Sequence, residues 1–206
     1  MQFARTRVLR DLALVYRDHL YAWERKLEDE GKRFCRRKAL KQPHEYQEGT
    51  IMKAYLVQHG EPLPKEMDPD RPLSEKGKSD VRKTASFVSA SNDISVGAIY
   101  HSTKTRAKET AEILDGYFEP PKGTAAVDNL DPLANPAIWA DRLNSSAENI
   151  MLAGHLPHLS RLTSLLVTGN EELTTVSFQM GGMVCLEKSE DGSWAVAWMV
   201  IPQLLV

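Results

Sequence analysis

From residue 52 onward, two kinds of apolar pattern alternate along the chain. Ala54, Tyr55, Leu56 and Val57 form an unbroken apolar run that stops at His59-Gly60. A short run of this kind, closed by glycine, predicts a strand buried on both faces. Val96 to Tyr100 repeats it, and so does Ile150 to Ala153, which ends at Gly154-His155. Between these runs the apolar spacing changes to three and four residues. Val81, Ala85 and Val88 mark one helical face, Ala107, Ala111 and Leu114 a second, and Leu159, Leu162, Leu165 and Leu166 another. A shorter helix is expected near Trp139 to Leu143, after a stretch from Val127 to Pro136 that is mostly turn. Ser74 is placed to cap the first helix. Glu61 to Pro72 carries Pro62, Pro64, Pro69 and Pro72 and reads as loop. Near the end, Met183 to Leu186 and Trp194 to Ile201 flank Asp191-Gly192, the signature of a hairpin. Trp194, Trp198 and Tyr100 read as core or rim aromatics. The order predicts an α/β protein, a three-layer α/β/α sandwich with a mainly parallel sheet.

Residues 1–51 follow a different pattern. Leu9, Ala13, Tyr16, Leu20, Trp23 and Leu27 alternate spacings of four and three, which predicts an amphipathic helix that Gly31 ends. A helix docked on its own domain is the favoured reading and a dimerisation helix the second. Arg33, Arg36, Arg37, Lys38 and Lys41 form a basic cluster that reads as a solvated face. Charge divides at the same place. Residues 1–50 hold 12 Lys+Arg and 8 Asp+Glu, so 12 − 8 = +4, and the remainder holds 14 and 20, so 14 − 20 = −6. The expected organisation is a basic helical extension over 1–51 and a domain over 52–206. The extension is either an accessory arm or upstream sequence taken in by a misplaced start.

Composition narrows the class. With 42% hydrophobic and 26% charged residues, the 206-residue chain is an ordinary globular mixture and not a disordered one. A net charge of −2 provides no global case for nucleic-acid binding. Two cysteines, Cys35 and Cys185, build neither a disulfide framework nor a Cys-rich zinc site, and they point to a reducing compartment. No apolar run approaches the length of a membrane span, and Arg10 and Asp11 interrupt any signal-peptide core. A cytoplasmic protein with no membrane partner is expected; oligomeric state is left open.

In parallel sheets, ligands sit beyond the C-terminal ends of the strands. Three polar clusters fall there: Gln58-His59-Gly60, His101-Ser102 with Arg106 just beyond, and Gly154-His155. A neutral imidazole at His59 is a nucleophile near pH 7. Gly60 allows close backbone approach. The Arg106 fork matches phosphate oxygens, and His155 is placed as a second donor to the same group. Phosphoryl transfer asks for this kind of charge neutralisation and alignment. His101 and His158 read as loop or surface histidines. A zinc site from His59, His101, His155 and His158 lacks the usual ligand spacing, so no metal is expected.

The motifs resemble those of the histidine phosphatase (phosphoglycerate mutase-like) superfamily. Leu56-Val57-Gln58-His59-Gly60-Glu61 is similar to its RHG signature, and Arg71-Pro72-Leu73-Ser74-Glu75-Lys76-Gly77 to its RPLTxxG stretch. Ile99 to Thr110 is similar to its SPxxRAxQT stretch, and Gly154-His155-Leu156-Pro157 to its second GH motif. The spacing between motifs most resembles the SixA-type phosphohistidine phosphatases. The resemblance covers roughly 52–202 and implies a phosphoglycerate mutase-like fold. It makes His59 the residue that is transiently phosphorylated, Arg106 the binder of phosphoryl oxygens, and His155 their stabiliser in the transition state. It implies no cofactor or metal, and a core without a large lid, suited to a phosphohistidine-bearing protein domain.

Two positions depart from the pattern. Gln58 stands where Arg normally precedes the nucleophile, and Thr103 stands where Pro is usual. Gln donates hydrogen bonds but carries no charge. Loss of the charge costs on the order of 1–3 kcal/mol unless another cation compensates, and His101 is a candidate. No general acid is evident. Asp131 and Glu61 are candidates, and their weakness tilts the expected substrate toward a phosphoramidate. Dephosphorylation of protein phosphohistidine is therefore the leading expectation. The alternatives are a phosphate-recognition module with little catalysis, because of Gln58, and a small-molecule phosphomonoesterase.

Overall fold

The structure is a computed structural model, and it describes residues 52–91 and 94–205. The extension over 1–51, with its apolar stripe and basic cluster, lies outside the described residues.

Six strands form one sheet: β1 (Met52–Gln58), β2 (Ala98–His101), β3 (Thr124–Ala126), β4 (Ile150–Gly154), β5 (Met183–Lys188) and β6 (Trp194–Val200). Their order across the sheet is β3-β2-β4-β1-β5-β6. β1 pairs parallel with β4, β4 with β2, and β2 with β3, whereas β5 pairs antiparallel with both β1 and β6. Only β5 therefore runs against the other strands. Four helices complete the three layers: α1 (Glu75–Ser89), α2 (Thr105–Phe118), α3 (Pro136–Ser145) and α4 (His158–Thr168).

Alternation along the strands divides the core in two. Ala54 and Leu56 of β1 pack with Trp139 and Leu143 of α3 and Leu159 and Leu162 of α4 on one face. Tyr55 and Val57 pack with Val81 and Ala85 of α1 and Ala111 and Leu114 of α2 on the other. β1 is buried along nearly its whole length, which is why its sequence is an unbroken apolar run rather than an alternating one. Tyr100 lies tilted against Trp139 and Trp198 against Tyr55, while Trp194 is buried and donates from Nε1 to Asn144 Oδ1.

Local chemistry sets the element ends. Ser74 caps α1 by accepting from Gly77 N at 3.0 Å, a contribution of about 1 kcal/mol. Asn135 caps α3 through Ala137 N, and Pro136 occupies its first turn, so this helix is longer than its apolar residues alone predict. The Asp191-Gly192 hairpin forms as expected, with Gly192 at φ +84. β3 is a strand that the apolar pattern does not announce. It is three residues long and mostly exposed, and its pairing with β2 alone defines it.

Candidate active site

The sheet delivers three side chains to its C-terminal edge. His59 follows β1, Arg106 lies in the first turn of α2 just past β2, and His155 follows β4. In the sheet β1 and β2 each flank β4, so these three strand ends are neighbours. Backbone bonds hold the edge together: His59 N donates to Gly154 O at 3.1 Å and Ser102 N to Ala153 O at 3.2 Å. Gly181, at φ +73, donates to Gln58 O at 3.0 Å and ties the segment before β5 to the end of β1.

The structure brings His59, Arg106 and His155 together. Arg106 Nε donates to His59 Nε2 at 3.2 Å. Since Nε2 accepts, the proton of the neutral ring is on Nδ1, which donates to Gly60 O at 2.8 Å. The rings of His59 and His155 are 4.9 Å apart, centre to centre. Burial lowers the pKa of His59 to about 4, with Arg106 and Arg71 pushing the same way against the Gly60 hydrogen bond. Burial also takes His155 down to about 3, helped by His59 and Arg106. Both rings are neutral at pH 7. The His155 ring is 1% exposed, and neither of its nitrogens has a hydrogen-bond partner among the described residues.

α2 holds this arrangement from beneath. Thr110 Oγ1 accepts from Gly60 N at 3.1 Å and donates to Arg106 O at 2.7 Å. The loop after His59 also packs tightly on α1. A Cβ on Gly60 would lie 2.8 Å from Gly77 O and 2.9 Å from Val81 Cγ2, and one on Gly77 would run into the backbone of Glu61. Both glycines are therefore close-approach positions, which links the two motifs in which they occur.

The remaining candidates fall around this centre. Gln58 is buried at the end of β1, and its Oε1 has no partner among the described residues. The amide offers an NH2 donor on the same group. Glu61 is occupied at the start of α1, where its carboxylate accepts from Ser74 Oγ at 3.4 Å and lies 3.8 Å from Lys76 Nζ. Asp131 is near the centre instead. Its carboxylate is 3.3 Å from Lys104 Nζ and 3.4 Å from Ser102 Oγ, close enough to act electrostatically on Arg106 and His155.

The expectation that His101 and His158 are loop or surface histidines does not hold. Both are buried: His101 ends β2 with its Nδ1 bonded to Ser102 O at 2.8 Å, and His158 opens α4. Burial lowers His158 to about 4. Sequence reading also assigned no role to Arg71, Glu109 or Thr110. Their only signal is membership of the quoted motifs. Among the described residues, no three His, Cys, Asp or Glu side chains group as metal ligands. No described helix is long and apolar enough to cross a membrane.

Comparison with known proteins bears out the resemblance read from the motifs. Residues 54–128 match the family model of the histidine phosphatase superfamily (branch 1). No curated protein matches the chain. Among solved structures, the protein histidine phosphatase SixA complexed with tungstate is similar at a TM-score of 0.66 and 20% identity, over 74% of this chain and 99% of that one. A phosphoglycerate mutase from Plasmodium falciparum is similar at 0.56 and 19%, over 72% and 90%. A mycobacterial glucosyl-3-phosphoglycerate phosphatase is similar at 0.54 and 12%, over 72% and 98%. At these identities the structures show a shared fold, the phosphoglycerate mutase-like α/β sandwich.

Proposed function

We propose that the chain dephosphorylates a protein-borne phosphohistidine through a phospho-His59 intermediate. The observation that carries this reading is the Arg106 Nε to His59 Nε2 hydrogen bond. It assigns the lone pair to Nε2 and puts a guanidinium beside it. A phosphoryl group entering this space would meet a nucleophile and a charge-matched fork together.

The chemistry follows from the groups present. His59 Nε2 attacks phosphorus, the N–P bond to His59 forms, and the bond to the leaving imidazole breaks, that ring having taken a proton from solvent on its other nitrogen. Arg106 turns from His59 to the phosphoryl oxygens. His155, neutral because it is buried, donates one N–H to them. The Gln58 amide is a further donor. Gly60 lets the backbone carbonyl that orients His59 sit close to the helix beneath. Water then attacks the phosphorus of phospho-His59, the N–P bond breaks, and inorganic phosphate leaves. No cofactor is needed for either step. The expected partner is a phosphohistidine-bearing domain in a reducing compartment such as the cytoplasm, where the buried free thiol of Cys185 persists.

The second reading is a small-molecule phosphomonoesterase, and Asp131 favours it. Its carboxylate, beside Lys104 and Ser102 at the end of β2, is a candidate general acid for an alkoxide. The third, a phosphate-recognition module, rests on Gln58.

One experiment separates the three. The full chain is incubated with a labelled phosphohistidine domain, a phosphate ester at equal concentration, and no substrate. Phosphohistidine turnover with label trapped on wild type and not on His59→Ala supports the proposal. Preferred turnover of the ester supports the second reading. Binding without hydrolysis supports the module, and full turnover by His59→Ala refutes the His59 mechanism.

A further inference from the structure

We propose that the outer face of α1 is a docking groove for an acidic, amphipathic helical segment of a partner protein. The groove is lined by none of the strand-end residues, so this inference does not depend on the phosphoryl reading of that cluster.

One stripe of α1 forms the floor of the groove: Ser79, Arg82, Lys83, Ser86 and Phe87. They stand at positions i, i+3, i+4, i+7 and i+8, which share one side of a helix. The opposite stripe, Val81, Ala85 and Val88, is buried in the core, so packing fixes which way this face points. Tyr117, near the C-terminal end of α2, and Leu204, in the short helical turn after β6, form the walls. The space between them is about 660 Å³.

Two kinds of group in this groove lack a counterpart. The first is apolar. Phe87 is 60% exposed and Leu204 73%, with Tyr117 exposed beside them. Apolar side chains gathered in one place and rimmed by polar ones mark an interaction surface. The second is cationic. α1 carries four basic residues, and the two outside the groove are matched on the helix itself, Lys76 by Asp80 and Lys78 by Glu75. Arg82 and Lys83, the two in the groove, have no carboxylate ion-pair partner among the described residues.

Charge selects the occupant. The chain after residue 50 holds 14 Lys+Arg and 20 Asp+Glu, so 14 − 20 = −6. A membrane surface or a nucleic acid spreads negative charge over a wide area and would meet that acidic body as a whole. A single narrow segment in the groove meets Arg82 and Lys83 alone. An amphipathic helix supplies both counterparts, with apolar residues over Phe87, Tyr117 and Leu204 and carboxylates toward the two cations. The groove also runs away from the strand-end cluster. α1 starts where Gly77 abuts Glu61 in the loop after His59, and Tyr117 lies about 16 Å along α2 from Arg106.

The test uses the full chain and a fluorescein-labelled synthetic helix with leucines on one face and glutamates on the other. A matched helix carries lysines in place of the glutamates. Fluorescence anisotropy is expected to show binding of the glutamate helix that weakens with added salt. Arg82→Glu combined with Lys83→Glu, and separately Phe87→Ala, are each expected to weaken it by about tenfold or more. All three side chains are exposed, so the variants keep the fold, and an unchanged thermal midpoint checks that. His59→Ala is expected to bind the helix as wild type does, and tungstate is expected not to displace it. Absence of binding, equal binding by the variants, or equal binding of the lysine helix overturns the inference. Binding to phosphatidylserine vesicles in place of the glutamate helix would assign the face to a membrane. A dimer in sedimentation that Phe87→Ala abolishes, in place of helix binding, would assign it to a second copy of the chain. Either result also overturns the inference, and none of these results bears on the His59 mechanism.

Discussion

Arg106 Nε and His59 Nε2 are 3.2 Å apart, and the hydrogen bond between them determines which nitrogen of the His59 ring carries the lone pair. Arg106→Lys keeps a charge but loses the planar fork. It is expected to lower kcat by about a hundredfold to a thousandfold, with a smaller effect on KM. Rapid-quench measurement of phosphoenzyme formation checks this. A lysine variant with near-normal phosphoenzyme formation would mean that Arg106 acts only as a distant charge.

The proposed mechanism displaces the acid limb of activity. In it His59 attacks as the neutral ring, and burial takes His59 to about 4. The limb of kcat/KM assigned to free enzyme is therefore expected near pH 4 and not near the ordinary histidine value of about 6.5. A pH–rate profile in overlapping buffers decides it, and a half-maximal point near 6.5 would contradict a buried, neutral nucleophile.

Stability follows the same groups. His59, His155 and His158 are lowered to about 4, 3 and 4 by burial. Below about pH 6.5 the unfolded chain takes up protons on these rings and the folded chain does not. Their stabilising contribution is complete above that pH and shrinks as pH falls toward 4. Denaturant midpoints measured from pH 7 to pH 4 are expected to fall. His158→Phe, outside the reacting cluster, is expected to flatten the slope by up to one proton. An unchanged slope would place His158 in water.

Gly77→Ala tests the junction between the nucleophile's loop and α1. A Cβ there would collide with the backbone of Glu61, which cannot yield as a flexible side chain would. A loss of about 1–3 kcal/mol is expected, the range for overpacking. Chemical denaturation reads it, and a stability equal to wild type would show that α1 can slide away at little cost.

Asp131→Asn distinguishes two leaving groups. If Asp131 protonates an alkoxide, the substitution lowers ester hydrolysis by about a hundredfold or more and leaves phosphoramidate hydrolysis much less affected. Equal losses on both substrates would instead assign Asp131 to holding Lys104 and Ser102 in place.

The sequence made much of this architecture legible because burial on both faces leaves a pattern that cannot be polar. β1 and β4 were readable for that reason, and the hairpin was readable from Asp191-Gly192. β3 was not, because a three-residue edge strand with exposed side chains gains its identity from β2 and not from its own residues. The apolar residues of α3 understate its length, since its first turn rests on Asn135 and Pro136, a capping signal within a segment otherwise made of turn residues. His59, Arg106 and His155 are assigned to one edge because each falls just past the C-terminal end of a strand in a mainly parallel sheet. Glu109 and Thr110 are not, because their importance lies in contacts across the chain: Leu73 to Glu109 and Gly60 to Thr110.

Arg106, Glu109 and Thr110 fall within five consecutive positions on one rod of backbone. Any tilt or slippage of that rod displaces several parts of the centre in concert, so damage to one of them is seldom damage to one alone. Transplanting this centre to another scaffold would mean carrying the rod as an indivisible cassette. A graft of the two imidazoles and the fork, without the threonine and glutamate below them, would have the right groups but no mounting.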